Sequence, residues 1–512
     1  MKDKKILNNL LKGAGLTAFG MFFSKFITYF YRVIVGRYIG PDAYGQLSLG
    51  LAVVGMTTVF VKLGLDDAIK NFVPKARARE DTSELKGIVM SSAQIISASG
   101  FILGSIVFFS ADFIAISLFD SPSTAPIIQV FAFVPFFSRL ASVFIDTTLG
   151  HNTAKYWVIT VQVLQNLIQL GVTIGLVFLT GMGVIGAAYG WLAGVFATVF
   201  IGFYFMEKNF GPIVFSDKKA DYQHKKLLTY SYPLVLSGAV GTMLGWADTS
   251  LLGYYLNDAA VGFYNAALPT ALLVTLPNSA LGSLALPSLS ELRENKGDAE
   301  NALKTLARWG FALTFPTFLI MTLFSSETLH LLFGKEYTVA GTALAVLALG
   351  NLFNAAVGQL GGFLKSAGHT KTILYSNTIS LVLNLALNIL LIPSLGIVGA
   401  AIATASSTLL FVALLVFETY RHENIHPFHG KMLTTVIAGL TSFTATYLIF
   451  QQIFSPAPYL ILIPAGVVFY AIYVLVFLKI GGLTKYDREI IITTGRKLGF
   501  EKEVEKILDL LT

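Results

Sequence analysis

Apolar runs of about 20 residues, the length that crosses a bilayer as a helix, recur fourteen times, near 15–36, 45–64, 88–110, 127–149, 156–180, 183–206, 230–256, 262–286, 305–326, 339–364, 372–393, 397–417, 432–454 and 458–480. The pattern predicts an all-α polytopic membrane protein. Within the first run it is interrupted: Lys25, Thr28, Tyr29 and Arg32 stand at i, i+3, i+4 and i+7, a polar stripe on one face of a helix. A charge at the bilayer centre costs about 3 kcal/mol, so it is turned toward a partner or a water-filled cavity. The stripe therefore reads as the wall of a polar interior. In the fourth run Arg139 and Asp146, seven apart, share a face; Arg139 and Lys25 both fall near mid-membrane. The seventh carries Gly238, Gly241, Gly245 and Asp248, and its GxxxG predicts close helix approach.

The chain repeats itself. GRYIGPDAYGQL at 36–47 aligns with GYYLNDAAVGFY at 253–264 at an offset of 217, placing Tyr38 on Tyr255 and Gly45 on Gly262. LGHNTAK, ending at Lys155, matches AGHTKT near 367, and GMGVIGAAYG at 181–190 matches SLGIVGAAIA at 394–403, at offsets of 218 and 213. Each copy holds six runs, so both enter from the same side, a parallel repeat about an axis along the membrane normal. The expected layout is a six-helix lobe at 1–206, a polar linker at 207–229 acting as hinge or tether, a second six-helix lobe at 230–417, two further helices at 418–480, and an amphipathic tail at 481–512 lying at the lipid surface. Under this alignment Asp248 falls beside Arg32, and the two are expected to meet near the outer mouth of a central cleft.

Charge gives the orientation. The N-terminus, the connections after even-numbered runs and the tail hold 29 of the 36 Lys and Arg; the opposite connections hold Arg37 and Lys335, and Lys25, Arg32, Lys62, Arg139 and Lys479 lie within runs. The positive-inside rule then puts both termini in the cytoplasm, in agreement with an even number of spans. The basic start, MKDKKILNNLLKGAG, leads into a full-length span with no small-residue cleavage site, so no cleavable signal is expected. Composition agrees with a membrane protein: 54% hydrophobic and 13% charged residues, with mean hydropathy +0.69, against about 25% charged in soluble domains.

Candidate chemistry is narrow. The absence of cysteine excludes disulfides, thiolate metal sites and cysteine nucleophiles. No GxxxxGK[ST] phosphate loop, HExxH or GxSxG occurs, so no ATP hydrolysis, metal, cofactor, nucleic acid or catalytic residue is expected, and the short external connections leave no room for a catalytic domain. The substrate cavity is expected to use Lys25, Tyr29, Arg32, Arg139, Gln162 and Asn166, with Asp146 and Asp248 in gating or ion coupling. Other readings stand beside these: snorkelling for Arg32 and a solvated helix end for Asp146, while the stripes Gln162, Gln165, Asn166 and Gln169 and Asn377, Asn384 and Asn388 read either as the lining of a sugar path or as interhelical hydrogen bonding. Asp66 and Asp67 beside Lys62 and Lys70 read as an interfacial charge cluster.

The motif R-x-x-G-x-x-x-Y-G (Arg37, Gly40, Tyr44, Gly45), the segment LGLDDAIKNFVPKARARED, the G-H turns at Gly150 and Gly368, and the duplicated G-x-x-GAA turns at Gly183 and Gly396 resemble the polysaccharide-transporter family of the multidrug, oligosaccharidyl-lipid and polysaccharide flippase superfamily, the group with the O-antigen flippases. The resemblance implies two six-helix lobes around a central cavity that moves polyprenyl-diphosphate-linked oligosaccharide across the cytoplasmic membrane by alternating access; H+, Na+ and the membrane potential stand as alternative driving forces. It implies that Lys25, Arg32 and Arg139 face the lipid diphosphate. A multidrug extruder of the same superfamily is the alternative, and a membrane glycosyltransferase or polymerase is a third.

Overall fold

Backbone N–H and C=O groups have no water to bond in hydrocarbon, and a helix satisfies them within its own segment. The computed structural model describes residues 2–149, 155–278, 296–357, 359–450, 458–484, 487 and 492; it is helical almost throughout, with no strand among these residues. Eleven helical stretches among them are long and apolar enough to cross a membrane. Their outer faces carry bare apolar side chains such as Phe101, Phe109, Leu179, Phe200, Leu390 and Val467, which suits lipid as solvent.

Two stretches are too long for one crossing. Helix α1 (Lys2–Lys62) would extend about 90 Å at 1.5 Å per residue, some three times a hydrocarbon core of about 30 Å. It is broken at Gly40 (φ 82°, ψ 171°), just before Pro41. The stretch Thr370–Glu423 is broken in the same manner at Gly396 (φ 58°, ψ −136°), three residues after Pro393. Both glycines adopt left-handed φ, which costs a side-chain-bearing residue more. One residue thus does the work of a loop at each place.

The repeat is visible in the backbone. After α2 (Leu65–Ala78) and α3 (Thr82–Phe109) come α4 (Val134–Leu149), α5 (Gln165–Ile174), α6 (Gly183–Phe210), α7 (His224–Tyr255) and α8 (Asp258–Leu272). The gap between α7 and α8 falls at Asn257, the repeat equivalent of Gly40. Gly183 (φ 53°) and Gly396 match in left-handed φ, and the alanine pairs that follow them, Ala187–Ala188 and Ala400–Ala401, are all fully buried. The Gly150 turn lies outside the described residues.

The chain packs as two compact units, Met1–Ala266 with Leu385–Ala400, and Ala267–Asn384 with Ala401–Thr512. The first has a core of Leu65, Ile69, Val73, Ile88, Ile96, Val143 and Met206. The second is built around Leu303, Leu360, Phe363, Leu364 and Leu415.

Residues 211–223 do not hang as a free tether. The Asp221 N–H donates to the Ser83 carbonyl (3.1 Å) and the Gln223 N–H to Ser91 Oγ (2.9 Å), while Lys86 Nζ donates to the Ser216 carbonyl (2.7 Å). Gly87 of α3 admits this strap, because a Cβ there would lie 1.6 Å from the Asp221 carbonyl oxygen. Buried Glu84 then accepts from Arg79 (2.7 Å) and Lys226 (2.8 Å).

Arg308, grouped in the charge analysis with the connection after the eighth run, instead lies fully buried within α9 (Lys296–Leu323). Its guanidinium pairs with Asp487 and donates to the Gly482 carbonyl (2.9 Å); Trp309 Nε1 also donates to Asp487 (2.8 Å). The expected amphipathic tail lies outside the described residues except at 481–484, 487 and 492. Burial pushes the Asp487 carboxyl up, but the bonds from Arg308 and from Thr484 outweigh it and hold the group below the ordinary carboxylate range.

Removing one partner of a buried pair leaves an uncompensated charge, which costs about 3–5 kcal/mol. Arg308→Leu should therefore lower the unfolding temperature in detergent strongly, and Arg308→Leu with Asp487→Leu should recover most of the loss. A carboxyl held below its unfolded value stabilises the fold above that value and loses the effect as pH falls through the folded one. The stability gap between wild type and Asp487→Asn should stay constant down to about pH 4 and close below it.

Candidate functional site

The helices bring the expected residues into three clusters, all within the unit Met1–Ala266 with Leu385–Ala400. The first joins α1 to α5. Asn166 Nδ2 donates to Ser24 Oγ (3.0 Å) and to the Gln162 carbonyl (2.9 Å), and Thr28 Oγ1 donates to Asn166 Oδ1 (3.2 Å). A π-helical stretch, Val158–Leu164, precedes this amide; such widened turns often occur at functional sites. Gln162, Tyr29 and Asn166 are all half-buried. Lys25, between Ser24 and Thr28, is exposed, and no carboxylate pairs with it among the described residues. Asn166 thus joins two helices directly beside an open cation.

The second cluster sits where α1 passes into α2. Asp66 accepts from Lys62 (3.0 Å) and Arg139 (3.2 Å), and its second oxygen is buried without a partner. Lys70 pairs with Asp146 at 3.4 Å, and Asp66 and Arg139 both lie close enough to act on Asp146 electrostatically. Arg139 and Asp146 are therefore on one face, as their spacing requires, and that face meets α2. The expected charge cluster around Asp66 is present, and it draws Arg139 in.

The third cluster lies across the Gly40 break. Arg32 stands in hydrogen-bonding position beside the Tyr44 hydroxyl. Tyr44 donates to the Asn265 carbonyl (3.4 Å), and the Asn265 amide donates to Thr249 Oγ1 (3.2 Å). Next to Thr249, buried Asp248 accepts from Tyr264 (2.5 Å) and from Asn388 Nδ2 (2.7 Å). Arg32 and Asp248 thus lie in two neighbouring sets of polar groups that meet at the adjacent positions 248–249 and 264–265. From Tyr44 to Lys62 is 18 residues, which separates the second and third clusters by about 27 Å along α1.

The glycine stripe on α7 does not do what its spacing suggests. Among the described residues no atom lies within 4 Å of a Cβ built on Gly238, Gly241 or Gly245, so the stripe faces open space. Close approach falls on other glycines: a Cβ on Gly55 would lie 2.1 Å from Trp246 Nε1, one on Gly253 2.4 Å from Leu49, and one on Gly45 1.8 Å from the Asp258 carbonyl. Sequence reasoning missed Glu84, Arg308, Tyr264 and Asp258. Only Tyr264 and Asp258 carried a signal, because they fall within the repeated segment.

The fold is a many-helix membrane bundle of duplicated plan that brings cations, carboxylates and amides together in three clusters. The chain belongs to the family described as polysaccharide biosynthesis protein, whose model matches residues 34–342. It is 29% identical over 231 residues to a probable low-salt glycan biosynthesis flippase of Haloferax volcanii, covering 44% of this chain and 48% of that one. It is 26% identical over 192 residues to a putative O-antigen transporter of Shigella flexneri, covering 37% and 46%. The chain thus spans about half the length of these two relatives. An uncharacterised membrane protein of Methanocaldococcus jannaschii matches over 91% of this chain and 94% of its own at 25% identity. The fold is that of the lipid II flippase MurJ in its inward closed conformation, with a TM-score of 0.72 at 18% identity over 90% of this chain and 98% of that one. An inward-facing multidrug resistance MATE family transporter of the MOP superfamily gives 0.69 at 14% identity over 78% and 94%.

The two carboxylates of the second cluster should respond unequally to neutralisation. Asp66→Asn strands two half-buried cations and should cost on the order of 2–3 kcal/mol. Asp146→Asn frees Lys70, whose side chain is 45% exposed, and should cost no more than about 1 kcal/mol. Thermal unfolding of the two variants in one detergent checks the order.

Proposed function

We propose that this chain is a flippase for polyprenyl-diphosphate-linked oligosaccharide or polysaccharide precursors, working by alternating access without covalent chemistry. A headgroup carrying charges and hydroxyls cannot enter hydrocarbon without partners for them, and a set of cations and amides held at membrane depth stands in for water. The family carries this reading, and the exposed Lys25 of α1, with no carboxylate paired to it among the described residues, agrees with it. In this mechanism Lys25, Arg32 and Arg139 attract the diphosphate, Tyr29, Gln162 and Asn166 meet sugar hydroxyls, and the prenyl tail stays in lipid. Asp248 and Asp146 serve gating or coupling to H+ or Na+, with Arg32 and Asp248 joining and parting as access alternates.

The proposed layout has fourteen spans, two parallel six-helix lobes at 1–206 and 230–417, and two added helices. The basic connections face the cytoplasm, as do both termini, and the protein sits in the cytoplasmic membrane. A second reading, cation-coupled multidrug extrusion, is favoured by the buried acids Asp66, Asp146 and Asp248.

Reconstitution in liposomes with lipid-linked oligosaccharides of known head and tail separates the two. Lys25→Gln and Arg139→Gln should each lower translocation at least tenfold and leave drug efflux unchanged, and Asp248→Asn should abolish the response to an imposed ion gradient. Loss of drug efflux with glycan translocation intact would favour the extruder.

A further inference from the structure

The repeated segment makes a contact with its own copy. In one copy, Gly45 lies so close to Asp258 that a Cβ would fall 1.8 Å from the Asp258 carbonyl oxygen. In the other, Gly262 stands in the same relation to Pro41, with 2.0 Å to that carbonyl. At the offset of 217, Gly262 is the equivalent of Gly45 and Asp258 that of Pro41. Each copy therefore seats its glycine on the matching carbonyl of the other, as a two-fold axis requires of a self-complementary contact.

Among the described residues, the side-chain bonds that reinforce the pair gather on the Asp258 side. Asp258 Oδ2 accepts from Ser121 Oγ (2.7 Å) and Gln46 Nε2 (3.0 Å), while its second carboxylate oxygen is buried without a partner. Below the contact, Leu49 fits against Gly253 and Gly55 against Trp246. The register 45 to 258, 49 to 253 and 55 to 246 is that of two antiparallel helices touching for about 15 Å. Side chains would hold these helices apart; glycines let backbone meet backbone.

We propose that this reciprocal glycine pair, with the Asp258 bonds, is the seal of the external mouth, and that it must part for transport. The contact lies at the end of the bundle opposite the basic strap at 211–223. A backbone seal of this kind is either closed or open, because a tight packing contact is lost within a fraction of an ångström. Cohesion comes from four small contacts and two side-chain bonds to one carboxylate, a bond set that a transport cycle can break and remake. Calling this end external rests on the transport reading, so the first test below requires no substrate.

The chain has no cysteine, which leaves the background clean. Thr249, 1% exposed and beneath the contact, is replaced by cysteine and labelled with a membrane-impermeant maleimide in liposomes sorted for orientation. Labelling from the external side should be slow in Thr249→Cys alone and at least tenfold faster with Gly45→Ala or Gly262→Ala added. Equal rates in glycine variants that elute as monodisperse protein would overturn the proposal. A second arm uses Ser121→Cys with Asp258→Cys. Oxidation should form the disulfide in high yield and stop transport, and reduction should restore it. A disulfide that fails to form, or that leaves transport running, overturns the proposal as well. Transport absent from the reduced double variant and from wild type alike would instead overturn the flippase reading, while the maleimide result still decides the seal.

Discussion

A charge moved from water into hydrocarbon must be answered there, and the arrangement of this molecule follows from how each one is answered. Glu84 has Arg79 and Lys226, Asp66 has Lys62 and Arg139, Asp146 has Lys70, and Asp487 has Arg308. Asp248 is held by a tyrosine hydroxyl and an asparagine amide. Lys25 is the contrast, exposed and without a carboxylate among the described residues. Groups that answer one another hold helices in register, and Lys25 takes no part in that.

Glycine is the second organising element, used in two opposite ways. At Gly40 and Gly396 a left-handed backbone breaks long helices into pairs of spans with no intervening loop. At Gly45, Gly55, Gly253 and Gly262 the missing Cβ admits a neighbour's backbone or ring. Both uses occur in the duplicated segments, so the likeness between copies reflects geometry as well as descent.

Much of the plan was legible before any coordinates. Lipid as solvent forces apolar runs of one length, so the spans stand out, and the duplication shows in the Gly45 and Gly262 motifs because their backbone roles tolerate no other residue. The spacing of Arg139 and Asp146 gave their shared face. What lay opposite that face did not follow, since Asp66 and Lys70 come from a helix more than sixty residues earlier. The same limit misled on Gly238, Gly241 and Gly245: period reveals which residues share a face, and never what that face meets. Arg308 was hidden for a different reason. It sits midway along α9 but only about a turn inside the apolar run that begins near 305, where hydropathy cannot separate a solvated arginine from one matched to a distant aspartate.

The strap at 211–223 bears on what the covalent join between the two copies contributes. Its anchoring bonds are made by Ser216, Asp221, Gln223 and Lys226, all on the far side of Gly211. A chain divided between 211 and 215 would leave every one of these bonds on the second fragment, which would then recognise α3 of the first as a separate partner. The covalent join thus adds little recognition of its own to the bonds that seat the strap on α3.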